Sequence, residues 1–209
     1  MNSTTEIGPE LFGEAARVLS AAFGADRIWA DVRPASETRA ARALYRFFRG
    51  ELTIARRHGG LVLATRSHGR ITGVIIAYPH GEKGFPWWSW MVRLPAMVLA
   101  GPRTSLRLLN VLECVEARHP KDPYFYFYYI GSETLGGGAA LFKRMMRIAR
   151  EHGTPCYGEA KSADVAEMCS ILGWSVDDHI RLPGGHSVVP VRWHPSRSDN
   201  AGPAQRDIS

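Results

Sequence analysis

Cysteine is scarce in this sequence of 209 residues, which contains only Cys114, Cys156 and Cys169. Three cysteines cannot build a disulfide framework, and none of them forms the closely spaced pair that structural zinc sites use. We therefore predict no metal site. We also expect a cytoplasmic location, because thiols stay reduced in that compartment.

Long apolar runs are missing as well. A membrane span needs about 18 apolar residues, and the best candidate, residues 91–100, is interrupted by Arg93 and Pro95. The N-terminal residues lack the basic and apolar regions of a secretory signal. No membrane partner is expected from these absences.

Positive charge is in excess, because 26 Lys and Arg residues outnumber 20 Asp and Glu residues and give a net charge of +6. This balance suits a phosphorylated partner but does not distinguish a nucleotide from RNA. Arginines recur every three or four residues in the helix predicted after Pro34, for which Ser36 is the expected N-cap. They are Arg39, Arg42, Arg46 and Arg49. This face is either simply solvated or a surface for phosphates.

The hydrophobic periodicity predicts one domain over residues 1–195 and a disordered tail over 196–209. The predicted elements are a helix over 10–23, the helix after Pro34, strands over 61–66 and 71–78, an insertion over 81–119 whose second half is helical, an aromatic strand over 124–132, a helix that starts at three glycines, a strand over 154–162, a short helix over 163–173 and a hairpin over 174–193.

The aromatic strand lacks polar alternation, so we expect it to be buried on both faces and central in the sheet. Side-chain alternation separates its aromatic residues into two sets. One face receives Tyr124, Tyr126 and Tyr128, and the other receives Phe125, Phe127 and Tyr129. The hydroxyl-bearing face indicates either a cleft or tyrosines that form hydrogen bonds within the core.

The helix that follows this strand opens with Gly136, Gly137, Gly138 and Ala139. A helix N-terminus presents unpaired N–H groups and partial positive charge, and glycine lets a phosphate approach the backbone. The pattern is neither a P-loop nor a dinucleotide fingerprint. It predicts either a pyrophosphate site or close packing of the helix on the strand.

The order of these elements resembles the GNAT superfamily of acyl-CoA N-acyltransferases over residues 8–193, and looks closest to its puromycin N-acetyltransferase-like branch. The stretches that carry the resemblance are ARHPKDPYFYFYYIG, GGGAALFKRM, TPCYGEAKS and LGWSV before LPGG. The resemblance implies an α/β fold: a mixed, mostly antiparallel twisted sheet flanked by helices, with a helical insertion before the central strand.

The resemblance also implies how acetyl-CoA is bound. The turn at Gly136 to Ala139 would hold the pyrophosphate, and backbone N–H groups at Tyr129, Ile130 and Gly131 would bind the thioester carbonyl. Thr134 occupies the position where the family's turn has Gln or Arg.

A second departure concerns proton transfer. Cys169 falls where the family has a tyrosine that protonates the leaving thiolate. A thiol with a pKa near ~8.5 is mostly protonated at neutral pH. Cys169 is therefore predicted to act as an acid or nucleophile, or else to pack as a small apolar residue.

A general base must take a proton from the acceptor, because only a neutral amine attacks a thioester. The candidates are Glu133 and Glu159, with His119 and His80 as weaker ones, and Tyr128 could replace the missing acid. In the insertion, Trp87 and Trp88, with Tyr126 on the strand, are expected to bind the acceptor. A lid or a subunit contact explains the tryptophans equally well, and a membrane-surface helix ranks third.

The sequence thus predicts an enzyme that moves an acyl group, most simply acetyl, from acyl-CoA to a primary amine of a small molecule by direct attack. Two alternatives keep the fold. In one, the donor is aminoacyl-tRNA or another non-CoA compound. In the other, the chain is a non-catalytic binding module. A homodimer is compatible with all three.

Overall fold

The computed structural model describes residues 3–24, 26–79 and 86–195. His80, the first residues of the insertion and the tail at 196–209 lie outside these ranges. The elements of the described residues are β1 (Ser3–Glu6), α1 (Phe12–Gly24), α2 (Arg27–Val32), α3 (Glu37–Arg57), β2 (Leu61–Ser67), β3 (Arg70–Tyr78), α4 (Trp88–Ala100), α5 (Pro102–Glu116), β4 (Phe125–Ser132), α6 (Leu135–Glu151), β5 (Cys156–Ala160), α7 (Ala163–Ile171), β6 (Ser175–Val176), β7 (Ile180–Arg181) and β8 (Ser187–Trp193).

The strands form one sheet in the order β1-β2-β3-β4-β5-β8-β6, with β7 paired to β8. In the described residues the β4–β5 pair is parallel and the other pairs are antiparallel. The expected mixed, mostly antiparallel sheet is confirmed, and β4 is central as predicted. No helix in the described part of the chain is long and apolar enough to cross a membrane.

Helices cover both faces of the sheet. Apolar residues of α1 and α3 form a core with one face, and residues of α6 and α7 form a second core with the other face. Ser36 caps α3 through its Oγ, which accepts a hydrogen bond from the Arg39 N–H at 3.4 Å. The insertion forms α4 and α5, and α4 packs along α3, where its residue Val92 lies over Gly50.

A β-bulge interrupts the alternation of β4. Ile76 of β3 pairs with Tyr129 and the next residue, Ala77, pairs with Phe127, so Tyr128 is an extra residue in the ladder. The ring of Tyr129 consequently lies on the same face as Tyr128, with the ring centroids 4.1 Å apart. The prediction that Tyr129 shares a face with Phe127 is wrong, because the bulge shifts the alternation by one residue.

The parallel pairing of β4 and β5 is short. It runs from Phe125 opposite Cys156 to Phe127 opposite Gly158. Beyond Gly158, β5 stays paired with β8, whereas the described ladder between β5 and β4 ends. Glu159 is therefore the first residue of β5 beyond the paired segment, at the level where β4 has its bulge.

Candidate active site

A cluster of polar side chains lies at the point where β4 and β5 part. The Tyr126 hydroxyl donates a hydrogen bond to Oε2 of Glu159 at 2.9 Å. The other carboxylate oxygen, Oε1, lies 3.2 Å from Nε2 of His119, and both side chains are largely buried. His119 comes from the loop between α5 and β4. The structure thus brings two candidate bases, Glu159 and His119, into one site.

The second imidazole nitrogen fixes how the protons are arranged. Nδ1 of His119 lies 2.9 Å from the Tyr124 hydroxyl. Burial and the charge of Glu159 raise the pKa of Tyr124 to about 12, so this hydroxyl keeps its proton at neutral pH. Because a carboxylate oxygen only accepts, the tautomer of neutral His119 that suits both neighbours carries its proton on Nε2, facing Glu159, and accepts at Nδ1 from the Tyr124 hydroxyl. The chain Tyr124–His119–Glu159 orients the carboxylate.

The tyrosines around Glu159 remain neutral. Burial and the negative charge of Glu159 raise the pKa of Tyr126 and of Tyr157. The ring of Tyr126 lies edge to face with the imidazole of His119, with 65° between the ring planes and 4.6 Å between the centroids. Aromatic faces next to a carboxylate form an environment that attracts an ammonium group.

The other candidate base, Glu133, lies far along the strand. It follows the last residue of β4, is exposed, and its backbone N–H donates to the Thr72 carbonyl at 2.8 Å. Glu159 is level with Tyr128, which is five residues earlier on β4. At about 3.3 Å per residue, roughly 16 Å separate the two levels. The structure does not bring Glu133 to the tyrosine cluster.

The glycine turn is the first turn of α6. Thr134 is its N-cap, and the threonine Oγ1 accepts a hydrogen bond from the Gly137 N–H at 3.2 Å. Thr134, which stands where the family has Gln or Arg, therefore caps the N-terminus of α6.

The glycines of this turn have different surroundings. A Cβ on Gly137 would lie 2.6 Å from Oγ of Ser132, so this glycine allows α6 to pack on the end of β4. A Cβ on Gly136 would have no atom within 4 Å, and one on Gly138 would meet Ser132 at an ordinary 3.6 Å. Gly136 is therefore the position in this turn where a ligand can approach the backbone.

A surface pocket of about 590 Å³ follows α6 beyond this turn. Its cationic lining residues are Lys143, Arg144, Arg147 and Arg150. Lys143 is seven residues beyond Gly136, which corresponds to roughly 10 Å along the helix. Positive side chains thus continue from the N-terminal turn, where the helix dipole also favours an anion.

The sequence analysis missed a buried ion pair beside the tyrosines. Arg93 of α4 donates two hydrogen bonds to Glu51 of α3, Nε to Oε1 at 2.6 Å and Nη2 to Oε2 at 3.0 Å. Burial alone would lower the pKa of Arg93, but its hydrogen bonds with Glu51 and the charge of that carboxylate outweigh burial and raise it. Burial and the Glu51 charge also raise the pKa of Tyr128, which places this tyrosine near the pair.

Other predicted site residues have different surroundings. Cys169 is buried in the apolar core on the α6 and α7 side, and burial raises its thiol pKa. Trp88 is half-buried, whereas Trp87 is 76% exposed. Trp87 projects from the face of α4 opposite to the one that packs on α3. This placement argues against Trp87 as a wall of an acceptor site.

Two predicted carbonyl-binding positions lie further along β4. Ile130 is half-buried on the α6 side, and Gly131 lies under α1, where a Cβ would meet Ala22 at 2.9 Å. Among the described side chains, no group of three His, Cys, Asp or Glu residues could hold a metal ion.

Comparisons with known proteins connect this geometry to a fold. No family model matches the sequence, and no curated protein matches it. A solved Corynebacterium glutamicum protein, described as histone acetyltransferase HPA2 and related acetyltransferase, is 20% identical with a TM-score of 0.71, covering 93% of this chain and 97% of its own.

Two further structures have the same architecture. Drosophila melanogaster polyamine N-acetyltransferase is 13% identical with a TM-score of 0.56, covering 93% of this chain and all of its own (100%). The C-terminal condensation domain of Ebony, in complex with beta-alanyl-dopamine, is 11% identical with a TM-score of 0.57, covering 93% and 99%. These likenesses show that the chain has the fold of the GNAT acetyltransferases.

Proposed function

We propose that this protein is an N-acyltransferase that moves an acyl group, most simply acetyl, from acyl-CoA to a primary amine of a small molecule. The observation that carries the proposal is the Glu159 carboxylate, which Tyr126 and His119 hold at the level where β4 and β5 part. A buried carboxylate in this position suits removal of a proton from an amine before attack.

The donor side of the site lies at α6. Gly136, with open space above it, and the cations of the α6 pocket suit the pyrophosphate and the remaining phosphate of coenzyme A. Bound acyl-CoA would supply the thioester, whose carbonyl carbon is the electrophile. The backbone of Tyr129, Ile130 and Gly131, which follows the bulge, would donate hydrogen bonds to the carbonyl oxygen.

On the acceptor side, Glu159 receives the ammonium proton and the neutral amine then attacks the thioester carbonyl directly. The C–S bond breaks as the C–N bond forms, and the departing coenzyme A thiolate takes up the second proton that the amine nitrogen loses, which gives the amide and the free thiol. His119 and Tyr126 hold the Glu159 carboxylate in place, because each faces one of its two oxygens. The tyrosine rings and the carboxylate favour a cationic amine over a neutral acceptor. The Drosophila neighbour is named for polyamine acetylation, which agrees with an amine acceptor.

The donor assignment is tested by thermal shift with acetyl-CoA. Wild type is expected to be stabilised, because a ligand that binds only the folded state raises its stability. Gly136→Val should remove this stabilisation without lowering the melting temperature of the free protein, since nothing lies within 4 Å of its Cβ. Gly24→Val, another glycine with open space around it, is the matched control and should keep the full shift.

The base assignment is tested by turnover with a panel of arylalkylamines and polyamines. Glu159→Gln should lower kcat by about 10²- to 10⁴-fold and leave the acetyl-CoA shift unchanged. Glu133→Gln is the matched carboxylate control and should retain activity. Loss of turnover in Glu133→Gln alone would overturn the assignment of Glu159.

A non-CoA donor is the second candidate, with aminoacyl-tRNA as the form that the basic surface favours. The four α3 arginines are exposed, and the fold neighbours include a condensation domain. If this reading is correct, acetyl-CoA causes no shift and tRNA binds with an affinity that falls steeply with salt. A ligand shift without turnover for any donor would instead indicate a non-catalytic binding module.

We also propose a cytoplasmic location, because a chain with only three cysteines is suited to a reducing compartment.

A further inference from the structure

The outer face of α4 is an apolar stripe that no other described part of the chain covers. Its residues and one neighbour on α5 are between 45% and 76% exposed. The stripe consists of Trp87, the N-cap residue of α4, of Trp90, Met91, Leu94 and Val98 on α4, and of Leu106 on α5. Trp87, Met91, Leu94 and Val98 are four, three and four residues apart, and this spacing places them along one side of the helix.

The stripe is opposite to the face by which α4 joins the fold. Ser89, Arg93 and Ala96 are buried, and their spacing places them on the α3 side of the helix. Arg93 is held there by Glu51. Because this ion pair and the α3 contact fix the rotation of α4, the apolar stripe must face outward.

The surroundings of the stripe are positively charged. Residues 86–112 contain no aspartate or glutamate, and besides Arg93, which is paired with Glu51 on the opposite face, they contain two arginines. Arg39 of α3 donates hydrogen bonds to the carbonyls of Leu99 and Val98 at the end of α4, at 3.3 Å for Val98. Arg42 and Arg46 line a surface groove together with Leu99. Arginines of α3 thus border the C-terminal end of the stripe. Arg103 and Arg107, which are exposed on α5, come next along the chain.

This charge pattern selects among the partners that could cover the stripe. A second copy of the chain would bring the same arginines together across a two-fold axis, and like charges oppose that contact. Exposed tryptophans with arginines beside them are instead typical of helices that lie in the interface of an anionic bilayer.

We propose that α4 is a peripheral membrane-docking surface: the stripe inserts among the headgroups of an anionic bilayer, and the bordering arginines contact lipid phosphates. The cytoplasmic leaflet, which carries anionic lipids, is the matching surface for a cytoplasmic protein. This inference replaces the expectation that the protein has no membrane partner, and it holds whether or not the proposed acyl transfer is correct.

The test uses co-sedimentation of the full chain with vesicles of phosphatidylcholine alone or mixed with phosphatidylglycerol. The wild type should bind the mixed vesicles at least tenfold more tightly than the neutral ones, and added salt should weaken binding. The triple variant Trp87→Ser, Met91→Ser and Leu94→Ser should lose at least tenfold in affinity. Its fold is checked by circular dichroism and thermal melting.

Matched controls separate the stripe from general surface properties. Ile171→Ser with Val176→Ser removes two exposed apolar side chains elsewhere and should leave vesicle binding unchanged. Arg42→Gln and Arg46→Gln should each weaken binding to anionic vesicles by about fivefold. Arg181→Gln, an exposed arginine of β7, should have much less effect.

Two results would overturn the proposal. One is a wild type that binds neither vesicle, or both equally. The other is a dimer in light scattering that the triple variant converts to a monomer, which would assign the stripe to a second copy of the chain.

Discussion

The two faces of β4 differ in burial and in chemistry, because the phenylalanines of one face are buried and the strand tyrosines of the other are half-buried. On the α6 and α7 side, Phe125 and Phe127 pack among aliphatic and aromatic residues. On the α1 and α3 side, tyrosines surround the buried Glu51–Arg93 ion pair and the Glu159 carboxylate with its neighbour His119. Burying charged groups costs free energy unless they are paired and hydrogen bonded. The tyrosine face is the one to which we assign the proposed acceptor chemistry.

The largest expected effect on this difference between the faces comes from leaving one buried charge of the tyrosine face unpaired. Glu51→Ala leaves Arg93 buried without its carboxylate, and we expect a loss of about 3–5 kcal/mol in the free energy of unfolding. Urea denaturation at neutral pH measures it.

Replacing both partners separates pairing from packing. The double variant Glu51→Leu and Arg93→Met should recover most of the stability, because an apolar pair of similar volume needs no compensation. If the double variant is as unstable as Glu51→Ala, the pair contributes through shape and not through charge.

The contrast between the faces also shows what could be predicted from sequence. The central position of β4 and the antiparallel sheet were predictable, since apolar runs and turn residues carry that information. The bulge at Tyr128 was not, because the tyrosine pair that ends YFYFYY fits a regular strand as well as a bulged one, and the extra residue is defined only by the pairing with Ile76 and Ala77.

The site was predictable in part. Glu159 was named from the sequence, but His119 was ranked low, because nothing local shows that its loop folds back over β5. Glu51 did carry a signal: it lies one helical turn from Phe48 and Ala55 and two turns from Leu44, on the apolar side of α3. An acidic residue on the core-facing side of a helix indicates a buried partner. That partner is Arg93, which interrupts the apolar run of α4.

A smaller effect tests the apolar face. Cys169 and Cys156 are both buried in the same core, and burial raises both thiol pKa values, that of Cys156 to about 12. Replacement of either by Ala should cost about 1 kcal/mol in the free energy of unfolding. If the apolar face has no chemical role, both variants keep the turnover of the wild type. Reduced turnover in Cys169→Ala alone would assign it the acid role that the family resemblance implies.

An effect of similar size at neutral pH, which shrinks as the pH rises, tests the tyrosine face. Tyr124→Phe removes the hydroxyl that donates to His119, which costs about 1 kcal/mol in the free energy of unfolding at neutral pH. The Tyr124 pKa is raised from 10.0 to about 12 by burial and the Glu159 charge, so the neutral phenol is favoured only in the folded state. Its contribution is complete below pH 10 and is lost as the pH rises toward 12.

Urea denaturation between pH 10 and pH 12 measures whether the free energy of unfolding falls as the pH rises. The stability of the wild type should fall between pH 10 and pH 12 as the unfolded chain releases the Tyr124 proton and the folded chain does not. Tyr124→Phe cannot release it, so its stability should fall less steeply and the gap between the two proteins should close. Tyr45→Phe, which removes a phenol from α3 outside the cluster, is the control and should leave the steep alkaline loss in place. Parallel pH profiles for the wild type and Tyr124→Phe would mean that the Tyr124 hydroxyl is not held neutral beside Glu159, and the proton arrangement assigned to His119 would then be wrong.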